Sequence, residues 1–208
     1  MRRLWHWLDF LFPPREDEVA LRDVSADDFL SLMHPVLVPE TRPGTVALLP
    51  FHARHVRAAI HEAKYHGDER AFGFLAGALA DYLLDADDVG RTTSHIVPVP
   101  LGRVRRKERG FNQIEEVARR ALRSLGDHFI LDTGLLERVK ETQSQVSLAR
   151  RKREENMRGA FVAAHRLDPA CTYIVLDDVI TTGATLQAAI DALREAGAVH
   201  IIPLALAH

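Results

Sequence analysis

A single cysteine, Cys171, occurs in the 208 residues. A disulfide framework is thereby excluded, and so is any zinc module built on cysteine ligands. Aromatic residues are scarce at 7%, and between residues 100 and 160 they are limited to Phe111 and Phe129. That stretch lacks the interleaved rings on which single-stranded nucleic-acid binders stack bases. No apolar run approaches the roughly 20 residues of a membrane span, and neither an internal repeat nor a low-complexity tract is present. Net charge is nearly absent too. The formal value of −2 argues against a general nucleic-acid coat protein.

The near-neutral total conceals a local imbalance. Residues 101–160 carry 15 Lys or Arg against 9 Asp or Glu, a net of +6 that leaves −8 on the rest of the chain. A basic middle in an otherwise acidic protein points to a localised anion site. With 47% hydrophobic and 27% charged residues, the chain has the balance of a soluble globular protein, long enough to bury a core without staples. Arg2 and Arg3 ahead of Leu4–Phe12 imitate a secretory leader. His6 and Asp9 interrupt that run, however, and Pro13, Pro14 and charges follow where a small-residue cleavage site belongs. Leu4, Trp5, Leu8, Leu11 and Phe12 share one helical face, expected to dock on the chain's own domain, with a membrane surface or a partner as the alternative. The chain reads as cytoplasmic.

Residues 13–50 mix acidic turns with Pro35, Pro39, Pro43 and Pro50 and read as a loop-rich extension, with one short helix near Ala26 to Leu32. The chain is expected to divide into an N-terminal extension over residues 1–50, without zinc ligands, and a main domain over residues 51–208. Val56, Ala59, Ile60 and Ala63 give one helical face, and Phe72, Leu75, Ala76, Leu79 and Leu83 the next. His95–Val99 reads as a short strand. Ile114, Val117, Ala118, Ala121 and Leu122 mark a helix, with Asn112 and Glu115 spaced as a capping box. Residues 137–160 show no apolar period. Tyr173–Leu176 is a continuous apolar run, as a doubly buried strand requires. A helix through Leu186–Leu193 and a strand over Val199–Leu206 follow. Alternating strands and helices imply an α/β fold, a mainly parallel sheet flanked by helices.

The chemistry concentrates in Ile174-Val-Leu-Asp-Asp-Val-Ile-Thr-Thr-Gly-Ala-Thr185. A buried parallel strand delivers Asp177 and Asp178 at its C-terminal end, where open α/β sheets place ligands. Thr181, Thr182, Gly183, Ala184 and Thr185 then lead straight into a helix, whose free N–H groups and partial positive charge suit a phosphate. Adjacent acids beside a phosphate cradle repel it unless each faces a different part of one ligand. Sugar hydroxyls donate readily to carboxylates, so a ribose carrying its own 5′-phosphate is the economical occupant. Alone, an Asp-Asp pair can also be a turn or a divalent-metal pair, and Thr-Thr-Gly a helix cap. The string is neither the nucleoside-triphosphate P-loop nor a dinucleotide fingerprint, since neither glycine pattern occurs. Among 11 histidines, His52, His55, His61 and His66 crowd one region. No carboxylate stands at a spacing that completes a metal site there, so a histidine-bearing surface helix is expected.

Ile174–Thr185 resembles the 5-phosphoribosyl-1-pyrophosphate (PRPP) motif of type I phosphoribosyltransferases. Val97-Pro-Val-Pro-Leu101, Arg109-Gly-Phe-Asn-Gln113, Lys64-Tyr-His-Gly67 and the spaced set Arg138, Thr142, Gln145, Leu148, Arg153, Asn156 and Gly159-Ala-Phe161 are similar to the ComF family of competence-associated phosphoribosyltransferase-like proteins, over residues 50 to 208. The resemblance implies the type I phosphoribosyltransferase fold. It implies that Asp177 and Asp178 hold the ribose hydroxyls and that Thr181–Thr185 bind the 5′-phosphate. Pro100 and Leu101 fall in the pyrophosphate loop, with Arg109 as countercharge. Arg138, Thr142 and Gln145 fall in a mobile loop that closes over PRPP, and Lys64 becomes a candidate ligand contact. Magnesium is implied as bound through PRPP. A four-cysteine zinc module found in many members is missing, so no zinc is expected. An unidentified acceptor, a homodimer and a link to DNA-uptake machinery are the implied partners.

Two functions from different classes follow. One is Mg-dependent transfer of the 5-phosphoribosyl group to an acceptor with release of pyrophosphate. The other is an accessory protein that binds PRPP or a nucleotide during DNA uptake and turns nothing over.

Overall fold

The computed structural model describes residues 15–86, 92–140 and 156–208. In chain order the elements are α1 (Glu16–Arg22), α2 (Ala26–Leu30), β1 (Val36–Val38), β2 (Thr45–Leu49), α3 (Arg54–Tyr65), α4 (Glu69–Asp85), β3 (Ser94–Pro98), α5 (Arg103–Arg109) and α6 (Gln113–Ala121). A 3-10 turn at Leu122–Ser124 follows, then β4 (Phe129–Leu131), β5 (Leu136–Arg138), β6 (Phe161–Ala163), β7 (Thr172–Val179), α7 (Ala184–Glu195) and β8 (His200–Ala207).

Six strands form one sheet in the order β1-β2-β8-β7-β3-β4. All neighbours are parallel except the β1–β2 pair at one edge. β5 and β6 make a separate antiparallel ribbon, with Arg138 opposite Phe161. The α/β class and the mainly parallel sheet read from the sequence are both present.

Alternation along the central strands assigns each side chain to a face. On β7, Ile174 and Leu176 enter the core packed by α1, α2, α3, α4 and α6. Tyr173 and Val175 enter the opposite core, packed by α7 and the β5–β6 ribbon. β8 does the same, with Leu204 and Leu206 on one side and Ala205 on the other. Burial on both faces is why these strands lack polar alternation.

The segment before residue 51 differs from the loop-rich reading. The short helix is there as α2, its Ser25 side chain accepting from the Asp28 N–H. Added to it are α1, with Glu16, Asp17 and Glu18 in its first turn complementing the helix dipole, and two strands of the main sheet. β2 lies between Pro43 and Pro50, yet Ala47, Leu48 and Leu49 are buried. Its partner β8 arrives from the far end of the chain, a pairing that no local pattern announces. The arginine-rich run forms α5, a helix that buries no residue, bounded by Gly102 and by Gly110 at φ 79°, whose N–H donates to the Arg106 carbonyl. Glycine is required there because the backbone is left-handed.

Candidate functional site

β7 presents Asp177 and Asp178 at its C-terminal end, both partly buried. Because they are consecutive on a strand, they point to opposite faces of the sheet. Asp177 has the parity of Tyr173 and Val175 and lines a small depression formed with Thr181–Leu186 at the start of α7. Asp178 has the parity of Ile174 and Leu176 and meets the helices of the other face. Its Oδ2 lies 2.8 Å from Lys64 Nζ at the end of α3. The same oxygen accepts from Gln113 Nε2 on α6 at 2.8 Å. Each carboxylate also accepts a backbone N–H from the next residue, Asp177 from Asp178 at 2.9 Å and Asp178 from Val179 at 2.7 Å.

These surroundings push the two groups apart. Burial, followed by the adjacent Asp178 charge, raises Asp177 from 3.8 to about 7. Asp178 is buried as well, which acts upward, but the Lys64 ammonium and the hydrogen bonds from Lys64, Val179 and Gln113 outweigh it and hold this carboxyl below its ordinary value. Near neutral pH Asp178 is a fixed anion in an ion pair, while Asp177 exchanges its proton.

The Gln113 link continues outward. Gln113 Oε1 accepts from Arg109 Nη1 at 2.9 Å, and the Arg109 guanidinium lies over the Tyr65 ring, 5.2 Å from its centroid. Arg109, Gln113, Asp178 and Lys64 thus form one connected chain of charge and amide. Gln113 is 4% exposed. It stands in the Arg109–Gln113 string, where the residue pattern assigned it no role of its own. The signal that finds it is a polar residue opening an amphipathic helix on its apolar side.

Pro100 and Leu101 sit beside the strand end. The Val99 N–H donates to the Leu176 carbonyl at 2.9 Å, and Asn112 Nδ2 donates to the Val99 carbonyl at 3.0 Å. Asn112 also caps α6 through Oδ1, accepting from the Ile114 N–H at 3.1 Å. The reciprocal half of the expected capping box differs: Glu115 accepts from Arg106 Nη1 at 2.9 Å and from the Asn112 side chain at 3.4 Å.

At the phosphate-type turn, Gly183 takes φ 71° and is the N-cap of α7, with no side-chain cap bond. The first N–H groups of this 12-residue helix are left for a ligand or water. Thr181 is exposed, and Thr182 and Thr185 are half-buried around them. Glu40 and Thr41 pack directly against Gly183: a Cβ there would meet Glu40 Cβ and Thr41 Cγ2 at 2.9 Å. One Glu40 carboxylate oxygen is buried without a partner. The sequence did not mark Glu40, because its approach depends on the β1–β2 strands.

Arg138 is the last residue of β5 and stacks over Phe161, 5.5 Å from the ring centroid. Its charge reaches Asp177, where it favours the ionised form. Thr142 and Gln145 lie outside the described residues, as does the Leu4–Phe12 face.

The expectation that no carboxylate is suitably spaced in the histidine region is corrected here: Glu62 adjoins His61 and stands four residues before His66, one turn of helix away. Ligand atoms of His61, Glu62 and His66 all lie within 4.8 Å of one another. Glu62 is fully buried, and its two oxygens accept from Arg15 Nε and Nη2. His61 Nδ1 is 3.1 Å from Asp17. The cluster fastens α1 to α3 with its charge already balanced. His52 and His55 are not members of it.

No protein-family model matches the chain, and no curated protein matches it.

Proposed function

We propose that this chain binds PRPP with magnesium and transfers its 5-phosphoribosyl group to an acceptor, releasing pyrophosphate. The observation that carries this reading is the division of labour at the end of β7. One carboxylate, Asp177, shares a depression with the uncapped N-terminus of α7, while its neighbour is neutralised by Lys64 on the far face.

A 5′-phosphate accepts from the first N–H groups of α7 and the hydroxyls of Thr182 and Thr185. The ribose then lies along the strand end, with a hydroxyl donating to Asp177. The Pro100–Leu101 turn flanks the pyrophosphate side, held by the Val99–Leu176 and Asn112–Val99 bonds. Arg109, tethered to Gln113, adds positive charge nearby. Transfer of this kind develops positive charge at the sugar carbon, so positioning and electrostatics do the work and no side-chain nucleophile is assigned.

The Asp177–Asp178 pair does not fit a two-carboxylate metal cradle, because Lys64 already stands 2.8 Å from Asp178. It fits an ion carried by oxygens of the ligand itself. Such magnesium makes pyrophosphate a better leaving group.

Asp177→Asn is the informative variant. The amide oxygen can still accept from the Asp178 N–H, so the turn is kept and only the charge is lost. In thermal melts, PRPP with magnesium should stabilise the native chain and leave this variant unmoved. Pyrophosphate release over a panel of bases and amines then separates transfer from the accessory role, which is binding without release. Equal stabilisation of both proteins overturns the ribose assignment.

A further inference from the structure

A second polar site lies at the opposite end of the same strands. An open groove of about 640 Å³ is lined by Thr172, the first residue of β7, and by the start of β8. Thr172 is separated from Asp177 by five steps of strand, roughly 16 Å at about 3.3 Å per residue. The groove exists because β2 is short. β2 pairs with β8 only from Leu204 onward, so the His200–Ile202 stretch of β8 keeps an uncovered edge beside its β7 pairing.

The ionisable side chains on this groove are all basic: Arg42, Arg194 and His200. Neither guanidinium has an ion-pair or hydrogen-bond partner among the described residues. Arg42 is nevertheless held in place by its backbone. Its N–H donates to Gln187 Oε1 on α7 at 2.7 Å. The preceding Thr41 hydroxyl bonds the Pro43 carbonyl and Thr45 Oγ1, both at 2.7 Å. Beside Thr172, the remaining wall is apolar, from Pro43, Val199, Ile201 and Ile202. Paired guanidiniums recognise phosphate bidentately, and an apolar wall in a groove of this size suits a flat ring system.

We infer that this groove binds a nucleoside diphosphate, with its phosphates on Arg42 and Arg194 and its base against Val199 and Pro43. The site stands independently of the reading of the β7 end. Calorimetric titration of the full chain with ADP, in the absence of divalent ions, tests it against adenosine and inorganic phosphate. ADP should bind at least about tenfold tighter than either fragment. Arg42→Ala and Arg194→Ala should each weaken ADP by about tenfold. Both residues are exposed, so the variants are expected to keep the native circular dichroism spectrum. Asp177→Asn should leave ADP affinity unchanged. The inference is overturned if the arginine variants bind ADP normally, if Asp177→Asn abolishes binding, or if phosphate alone binds as tightly as ADP.

Discussion

Asp177 and Asp178 share a peptide bond and titrate in opposite directions, which makes stability depend on pH in a definite way. The folded value of Asp177, about 7, lies above its ordinary 3.8. Its stabilising contribution is therefore complete below about pH 4 and fades as pH rises through 7. Asp178 is lowered, so its contribution is present above pH 4 and disappears only in stronger acid. Asp177→Asn removes the first effect and leaves the second. In denaturant titrations the variant should be more stable than the native chain at pH 8, by on the order of 2 kcal/mol, with the gap closing towards pH 5. A gap independent of pH would show that Asp177 is ionised throughout. Much of this site was legible from the residues. The Asp177–Thr185 string on a strand, turn and helix is where the sequence put it. Strand alternation alone already sends the two acids to opposite faces. What could not be read is the identity of the partners: Gln113 and Glu40 become neighbours of Asp178 and Gly183 through packing between elements far apart in sequence.

At the scale of elements, the turn into α7 is fixed by a close approach. Gly183 combines φ 71° with Glu40 and Thr41 at 2.9 Å from any added methyl. Gly183→Ala meets both obstacles, a left-handed backbone and a clash with another segment. It should cost about 2–4 kcal/mol, measured by urea unfolding. An unchanged midpoint would mean that the Glu40–Thr41 segment moves aside freely. Besides the short α2, the elements read correctly from sequence (α3, α4, α6, α7, β3, β7 and β8) carry their own periodicity and stop signals. Those that were missed have another origin. β1 and β4 are three residues long and exist through their neighbours. β2 is masked by flanking prolines. α5 has no apolar stripe and is defined by glycines at both ends.

For the whole molecule, residues 15–50 are bound into the structure by more than one contact. Phe29 of α2 stacks on Phe74 of α4, with centroids 4.8 Å apart and planes 10° from parallel. β2 covers the β8 edge from Leu204 to Ala207. A chain limited to residues 51–208 loses both, exposing Phe74 and a strand edge open to pairing with other chains. It should aggregate, or lack a cooperative melt and near-ultraviolet circular dichroism. A sharp native-like transition would show that the shorter unit stands alone. The place of β8 has a kinetic consequence as well. It lies between β2 and β7, so Val46 must find Leu204 across about three quarters of the 208-residue chain. Helical pairs such as α3–α4 form from local contacts, but closing this loop is entropically slow, and such topologies fold late. Until β8 inserts, β2 and β7 each present a bare edge, and Leu37 on β1 stays 71% exposed even afterwards. The interval before the middle strand arrives is when this chain is most exposed to pairing with the wrong partner.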